Sequence, residues 1–179
     1  MWFTSDQHFG HANIIRFCDR PFADSDEMTR ELVARHNAVV GETEEVFHLG
    51  DFSLDERLVP QILPLLNGRH RLVVGNHDKC HPCHKKSDAA KRRYLAYGFA
   101  SVQTVVHMGP WLLCHLPYAG TPEHKTRYPE WRPKDEGRWL LHGHVHEQWQ
   151  IRGRMINVGV DKWDYAPVHL STLDRIRVA

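Results

Sequence analysis

The sequence predicts an α/β domain in which βαβ units come first and antiparallel strands follow. Three observations predict it. Short apolar runs alternate with amphipathic stretches as far as Gly98, and hairpin patterns take over from Phe99. The chain has 179 residues, 41% hydrophobic and 25% charged, which is the size and balance of one globular domain over residues 1–179.

Taken in order, "MWFTSD" is a short strand running into a loop at Asp6. "SDEMTRELVARHNAVVG" opens on Ser and Asp, places apolar residues at Met28, Leu32 and Val39, and meets Gly41 as a stop, so it reads as a helix. "EEVFHLGD" is a buried strand ending at Gly50-Asp51. "SLDERLVPQILPLLNG" reads as a helix whose start and straightness are left open by Pro60 and Pro64. "HRLVVGNHD" is the next strand, and "SDAAKRRYLAYG" is a short basic helix stopped by Gly98. "FASVQTVVHM" and "WLLCHLP" form a hairpin around Gly109-Pro110. Residues 118 to 137 make a long loop rich in Pro, Gly and charge, a length that in compact domains often accompanies function. "RWLLHGHVH" is a strand, "QWQIRG" and "RMINVGV" a second hairpin, and the tail is mixed.

Polar residues gather where the strands stop. Asp6-x-His8, Gly50-Asp51, Gly75-Asn76-His77-Asp78, His115 and Gly143-His144-Val145-His146 each follow an apolar run. In open α/β sheets, ligands bind outside the carboxyl ends of the strands. Histidine is in excess, with 15 copies dispersed along the chain, and neutral imidazole is a common metal ligand. Carboxylate and amide oxygens mixed with imidazoles suit Mn²⁺, Fe or Zn²⁺ better than a thiolate-selected metal. Glycine in "GNHD" and "GHVH" lets backbone and ligands crowd together. A lone D-x-H or Gly-Asp is a common accident; five such sites, each at a strand end, carry the inference.

This set, from Asp6 to "INVG" at residues 156 to 159, resembles the calcineurin-like metallophosphoesterase superfamily in a small, cap-less form. The resemblance implies a sandwich of two mixed β-sheets flanked by helices, in a four-layer αββα arrangement. It implies two divalent metal ions, Mn²⁺ first, with Fe, Zn²⁺ or Ni²⁺ as alternatives. Asp6, His8 and His146 would hold one metal, Asn76, His115 and His144 the other, and Asp51 would bridge them. His77 matches the superfamily's acid histidine, and Asp78 would orient it. The expected activity is hydrolysis of phosphodiesters, cyclic nucleotides among them, by attack of a metal-bound hydroxide while His77 protonates the leaving oxygen. A phosphomonoesterase or a metal-dependent nuclease is the alternative enzyme, and a metal-binding scaffold is the alternative from another class. Substrate contacts are expected from His11, Asn76 and Tyr118, with selectivity set by loops 11 to 24, 79 to 90 and 118 to 137.

"KCHPCHKK" carries a competing motif, since Cys80-His81-Pro82-Cys83-His84 spells the C-x-x-C-H of covalent haem attachment. That chemistry belongs to an exported, oxidising setting, and a cleaved leader would remove Asp6, so no haem is expected. A separate zinc site from Cys80, Cys83 and two of His77, His81 and His84 is another reading, and a loop walling the site is the plainest. Lys85, Lys86, Lys91, Arg92 and Arg93 read as a solvated helix face, and Trp131, Trp139, Trp149 and Trp163 as packing rather than base stacking. His36, His48, His70, His107, His124 and His169 read as structural.

A formal net charge of +1 gives no overall attraction to duplex nucleic acid. No apolar run approaches the roughly 18 residues of a membrane span, and "MWFTSDQHFGH" lacks the pattern of a secretory signal. A small phosphoester or nucleotide is therefore the expected partner, with no membrane. The expected compartment is the cytoplasm, where Cys18, Cys80, Cys83 and Cys114 would be reduced.

Overall fold

The structure, a computed structural model of the 179-residue chain, describes residues 1–119 and 128–178. The middle of the 118 to 137 loop, with His124, lies outside the described residues. The chain is an α/β protein built on two mixed five-stranded sheets. In the first, β1 (Trp2–Thr4), β2 (Glu45–His48), β3 (Arg69–Val73) and β4 (Ser101–Gln103) run parallel in that order. In the second lie β5 (Val105–Met108), β6 (Trp111–Cys114), β7 (Trp139–His142), β8 (Ile151–Arg152) and β9 (Met155–Asn157), ordered β5-β6-β7-β9-β8. Its core of β6, β7 and β9 is parallel, with the antiparallel hairpin partners β5 and β8 at the edges. A final strand, β10 (Val168–His169), returns to the first sheet antiparallel to β1.

The stretch 99 to 108 is thus two strands, not one. Ser101–Gln103 pairs with β3 and Val105–Met108 with β6, so the chain changes sheets at Thr104. A run of β-favouring residues specifies a pleated surface but not which neighbour it meets.

Among the described residues five α-helices flank the sheets: α1 (Ala12–Phe17), α2 (Ser25–Val39), α3 (Val59–Ile62), α4 (Ser87–Ala96) and α5 (Leu170–Val178). The start of α2 follows from Asp24, whose carboxylate accepts from the amides of Asp26 and Glu27 at 2.9 and 2.8 Å. Its buried stripe is Met28, Leu32 and His36, spaced by four. Val39 lies off this stripe, and the helix ends as Val40 turns extended, before Gly41 is reached. The segment 53 to 68 is not one helix. A 3₁₀ turn at Glu56–Leu58, then α3, then a second 3₁₀ turn at Leu63–Leu65 follow one another, with a proline in the first turn of each of the last two. Proline is welcome where the amide needs no partner, but it breaks the ladder of any helix already under way.

Side chains alternate between the two faces of each strand, and because both faces are covered, β2, β6, β7 and β9 are buried almost without a break. Phe3, Phe47, Val73, Trp111, Leu113, Leu141 and Ile156 meet between the sheets, joined by Leu173 of α5. On the other side of the first sheet, Leu72, Val74 and Val102 pack against Ile14, Met28, Leu32, Ile62 and Tyr94 from the first four helices. Beyond the second sheet, Leu112, Cys114, Leu140 and Met155 are covered by Leu116, Tyr118, Val145 and Trp149. Among the described residues no α-helix enters that outer cluster, so the expected fourth, helical layer is replaced there by loops. Nor is any helix among them long and apolar enough to cross a membrane.

Because β1, β2 and β3 are parallel, and β6 and β7 likewise, the loops carrying the polar motifs all leave carboxyl ends. Backbone bonds lace these loops together: Asp6 N–H to Gly50 O, Gly143 N–H to His115 O and Val160 N–H to Ser5 O, each at 3.0 Å.

Candidate metal centre

The loops bring Asp6, His8, Asp51, Asn76, His115, His144 and His146 into one cluster, whose side chains are buried except for the half-buried His146. The packing is close enough to dictate glycine twice. A Cβ on Gly143 would run into the Ser5 hydroxyl and an Asp6 carboxylate oxygen, and one on Gly75 into the Asp51 carboxylate. Five of the seven clustered residues hold left-handed backbone: Asp6 (φ 58°), His8 (51°), Asp51 (53°), His144 (71°) and His146 (47°). Each such conformation costs a non-glycine residue on the order of 1–3 kcal/mol, and such residues concentrate at functional sites.

Each carboxylate is anchored by a backbone amide and also faces imidazole nitrogens of the cluster. Asp51 Oδ1 accepts the His77 amide at 2.9 Å. Its Oδ2 lies 3.7 Å from His8 Nε2 and 3.5 Å from His115 Nε2. Asp6 accepts the His144 amide at 3.1 and 3.0 Å, and its Oδ1 stands 3.9 Å from His146 Nε2. The oxygen-to-imidazole separations are too long for good hydrogen bonds. Two atoms each about 2.1 Å from a shared cation lie about 3.0–4.2 Å apart, depending on the angle at the ion.

His115 makes the sharpest statement. Its Nδ1 is 2.7 Å from Leu49 O, which can only accept, so Nδ1 carries a hydrogen. In the neutral ring, Nε2 is then a bare lone pair, facing Asn76 Oδ1 at 3.2 Å and Asp51 Oδ2 at 3.5 Å. Three lone-pair donors pointing at one another require a positive charge between them. Without a metal the proton supplies it. Burial opposes the charged ring, but Asp51, Asp6 and the Leu49 carbonyl push His115 up to about 9. At His146, burial is likewise outweighed by Asp6 and Asp161, and the ring rises to about 11. Burial also raises the Asp6 carboxyl, whereas at Asp51 the neighbouring His115, His8 and His77 overcome burial and hold the carboxyl well below its usual range.

His8 behaves oppositely. Burial drives its basicity far down, and neither ring nitrogen has a hydrogen-bond partner among the described residues. A buried imidazole with both nitrogens idle is expensive unless something else binds it. Asp6, His8 and His146 each bring a ligand atom within 4.8 Å of the others, and so do Asp6, Asp51 and His115. The His144 ring stands beside the second group, 5.2 Å from that of His115, without bringing a ligand atom into it. The residues fit divalent cations held by nitrogen and oxygen.

Beneath the cluster sits a pair that motif reading missed. Arg20 donates to Asp161 at 2.7 and 2.9 Å, and also to the carbonyls of Asp6 (2.8 Å) and Gln7 (3.0 Å). Asp161 Oδ2 is 3.4 Å from His146 Nδ1, so the pair fixes that ring from behind while gripping the loop before His8. Neither residue belongs to a spaced motif. The nearest signal is that Asp161 closely follows "INVG", which ends the matched region.

A cleft of about 350 Å³ opens over the cluster, lined by His8, His11, Ile14, Phe17, Cys18, His77, His146, Glu147 and Gln148. The His77 side chain is exposed there, its ring centroid 5.7 Å from that of His8. His11 precedes α1 without capping it, its ring 5.5 Å from His8.

Two expected site residues have other work. Asp78 does not orient His77: its buried carboxylate accepts the amides of Asp51 (3.0 Å), Gly75 (2.8 Å) and Phe52 (3.2 Å), tying two loops of the cluster together. Burial, reinforced by Asp51, pushes that carboxyl up to about 7. Tyr118 is 4% exposed in the outer cluster and its hydroxyl donates to Arg138 O at 2.9 Å, so it is not poised for substrate.

Cys80 is buried in the helix-side core while Cys83 is exposed, and neither joins a metal-capable group among the described residues. Their loop is pinned by His84, 3.0 Å from Asn76 O, and by His81 against Trp131. Trp139 and Trp163 pack at the inter-sheet core, Trp131 and Trp149 in the outer cluster. Of the basic run, Arg93 pairs with Glu56 and the other four side chains lie at the surface.

Fold and site together define a two-sheet α/β protein with a buried carboxylate–histidine cluster suited to divalent cations. No family model matches the chain. It is 35% identical over 187 residues to the Gene 66 protein of Mycobacterium phage L5, covering 90% of this chain and 86% of that protein. With the Gene 66 protein of Mycobacterium phage D29 it shares 35% over 185 residues, covering 94% and 92%. The chain therefore belongs to the family of these phage Gene 66 proteins. Among solved structures, the protein of unknown function AQ665 from Aquifex aeolicus superposes with a TM-score of 0.70 at 26% identity, over 98% of both chains.

Proposed function

We infer that the chain is a dinuclear-metal-dependent phosphoesterase of the calcineurin-like metallophosphoesterase type, acting on phosphodiesters. One observation carries the reading: His115 Nε2, Asn76 Oδ1 and Asp51 Oδ2 face one another as lone-pair donors, and the same Asp51 oxygen faces His8. An oxygen shared by two imidazole-bearing groups is what a bridging carboxylate must be. Asp6, His8 and His146 would hold one ion and Asn76, His115 and His144 the other, with Asp51 between. The donor set suits Mn²⁺, Fe, Zn²⁺ or Ni²⁺. When bound, such a pair supplies Lewis acidity to a phosphoryl group and makes an attacking water more acidic.

The chain's own groups complete the chemistry. His77, exposed in the cleft, delivers a proton to the leaving oxygen. Asp51 keeps its charge despite burial, so it offsets the charge of the ions it faces. The Arg20–Asp161 pair holds His146 in position. A cleft of about 350 Å³ is of nucleotide size. A cytoplasmic setting with reduced thiols belongs to the same reading.

The test is turnover of monoesters, linear diesters and 2′,3′- and 3′,5′-cyclic nucleotides with added Mn²⁺, beside metal content. Metal-dependent diester hydrolysis is expected, and Asp51→Asn should lose metal at both positions together with activity. Two bound metals with normal activity in that variant would sink the bridging role. A wild-type chain that binds metal and turns over no phosphoester would be a scaffold.

A further inference from the structure

Phe17 is 61% exposed, and among the described residues no other Phe, Tyr or Trp stands out into solvent. Isolated surface hydrophobics are ordinary, but this one is placed. It ends α1 and lines the cleft that contains His8, His77 and His146. The His11 ring meets it at 6.3 Å and 74°, and the Arg16 guanidinium lies 5.6 Å from its centroid. His11 is in turn 5.5 Å from His8. A row of rings therefore leads from the metal cluster to Phe17, with buried Ile14 and Cys18 as an apolar floor and Glu147 and Gln148 among the polar lining.

We propose that Phe17 is the platform on which a substrate nucleobase stacks while its phosphate ester occupies the His8–His77–His146 end of the cleft. This rests on the phosphodiesterase reading and narrows it to nucleoside-bearing esters. Stacking tolerates any base, because every base presents a π face. Arg16 beside the ring adds a cation to the platform. Gln148, with one donor and one acceptor group, suits the polar edge of a base. Trp131, Trp139, Trp149 and Trp163 are packed in or against the inter-sheet and outer clusters, and none lines this cleft.

The test compares adenosine 2′,3′-cyclic phosphate with 1-O-methylribose 2′,3′-cyclic phosphate, which offers the same reacting ring without a base. In Phe17→Ala the ratio of the two kcat/KM values should fall roughly five- to a hundredfold, through KM, and Phe17→Trp should restore it. An unchanged ratio, or a fall carried by kcat alone, overturns the proposal. Binding is read separately in the Mn²⁺-loaded protein. AMP, but not ribose 5-phosphate, should quench the emission that F17W adds over the wild type. If no phosphodiester is turned over, the phosphodiesterase reading fails while this titration still decides the platform. Quenching by AMP then upholds a base-stacking cleft, and equal response to both ligands or to neither ends the proposal.

Discussion

Asp161→Asn separates the support of the site from its ligands. Asp161 touches no proposed cation; it accepts from Arg20 at 2.7 and 2.9 Å and lies 3.4 Å from His146 Nδ1. Both members of the ion pair are buried, with side chains 0% and 1% exposed. The amide keeps the shape but removes the charge, and its NH₂ must face a donor of Arg20 or displace the His146 contact. Stranding one partner of a buried pair costs about 3–5 kcal/mol. Arg20 retains its bonds to the Asp6 and Gln7 carbonyls, which places the cost near the lower bound. At about 2–4 °C per kcal/mol for a chain of this size, Tm of the metal-free protein should fall by roughly 6–12 °C. Separately, an unanchored ligand histidine weakens metal binding about 10- to 100-fold, or about 1.4–2.7 kcal/mol. Thermal unfolding of the metal-free variant and calorimetric titration with Mn²⁺ read the two effects apart, with stoichiometry at saturation unchanged. A destabilised variant of normal metal affinity would make Asp161 a residue of the fold alone and refute the argument.

Three further outcomes follow from the same geometry. His77→Ala should cost a nucleotide diester about 10²–10⁴-fold in kcat/KM and a nitrophenyl diester far less, because nitrophenolate departs without a proton. Its metal content should stay normal, since only the His77 backbone amide reaches Asp51; equal losses on both esters would point to phosphate binding instead. With His115 raised to about 9 and His146 to about 11, the metal-free chain is protonated at both rings at pH 7. Metal must displace those protons, so affinity should rise with pH, with about two protons released per chain. Titration in buffers of different ionisation heat counts them, and a count of zero rejects the lone-pair convergence. Burial depresses His36 to about 4 and His142 to about 3. Between those values and the unfolded pKa of about 6.5 only the unfolded chain takes up the protons, so stability is complete above that range. It should drop by up to about 1.4 kcal/mol per histidine for each pH unit towards 4. Because the raised Asp78 carboxyl works in the opposite sense, the contribution is read by difference: denaturant midpoints of metal-free His36→Gln that vary with pH from 7 to 4 just as the wild type's do would contradict this.

The legible part of the molecule is the part written in local patterns. Apolar runs ending in Asp, His or Asn-His-Asp located the loops that form the cluster, because a parallel strand delivers its next residues to a predictable edge. The Ser-Asp start and the apolar Met28 and Leu32 made α2 legible, whereas the Asp24 cap and the place of His36 in the buried stripe emerge only in the structure. What stayed hidden depends on distant partners. Arg20 and Asp161 are 141 residues apart and each is unremarked in its own neighbourhood. Asp78 follows His77 in sequence, yet its carboxylate turns inward to three backbone amides, which only the approach of two loops creates. Tyr118 follows His115 by three positions but faces the outer core. The switch of sheets at Thr104 and the return of β10 beside β1 are likewise decided by pairing rather than propensity.

The cluster draws Asp6, His8, Asp51 and Asn76 from loops of the first sheet and His115, His144 and His146 from loops of the second. Ions held there would rivet two layers that are otherwise joined mainly by apolar packing. Anything that binds only the folded chain adds to its stability, about 4 kcal/mol at a thousand times the dissociation constant. Scarcity of the metal would then shorten the protein's lifetime as well as idle it, since a chain without its rivets opens more often to proteases. Supply of the ion would set how much of the protein a cell keeps.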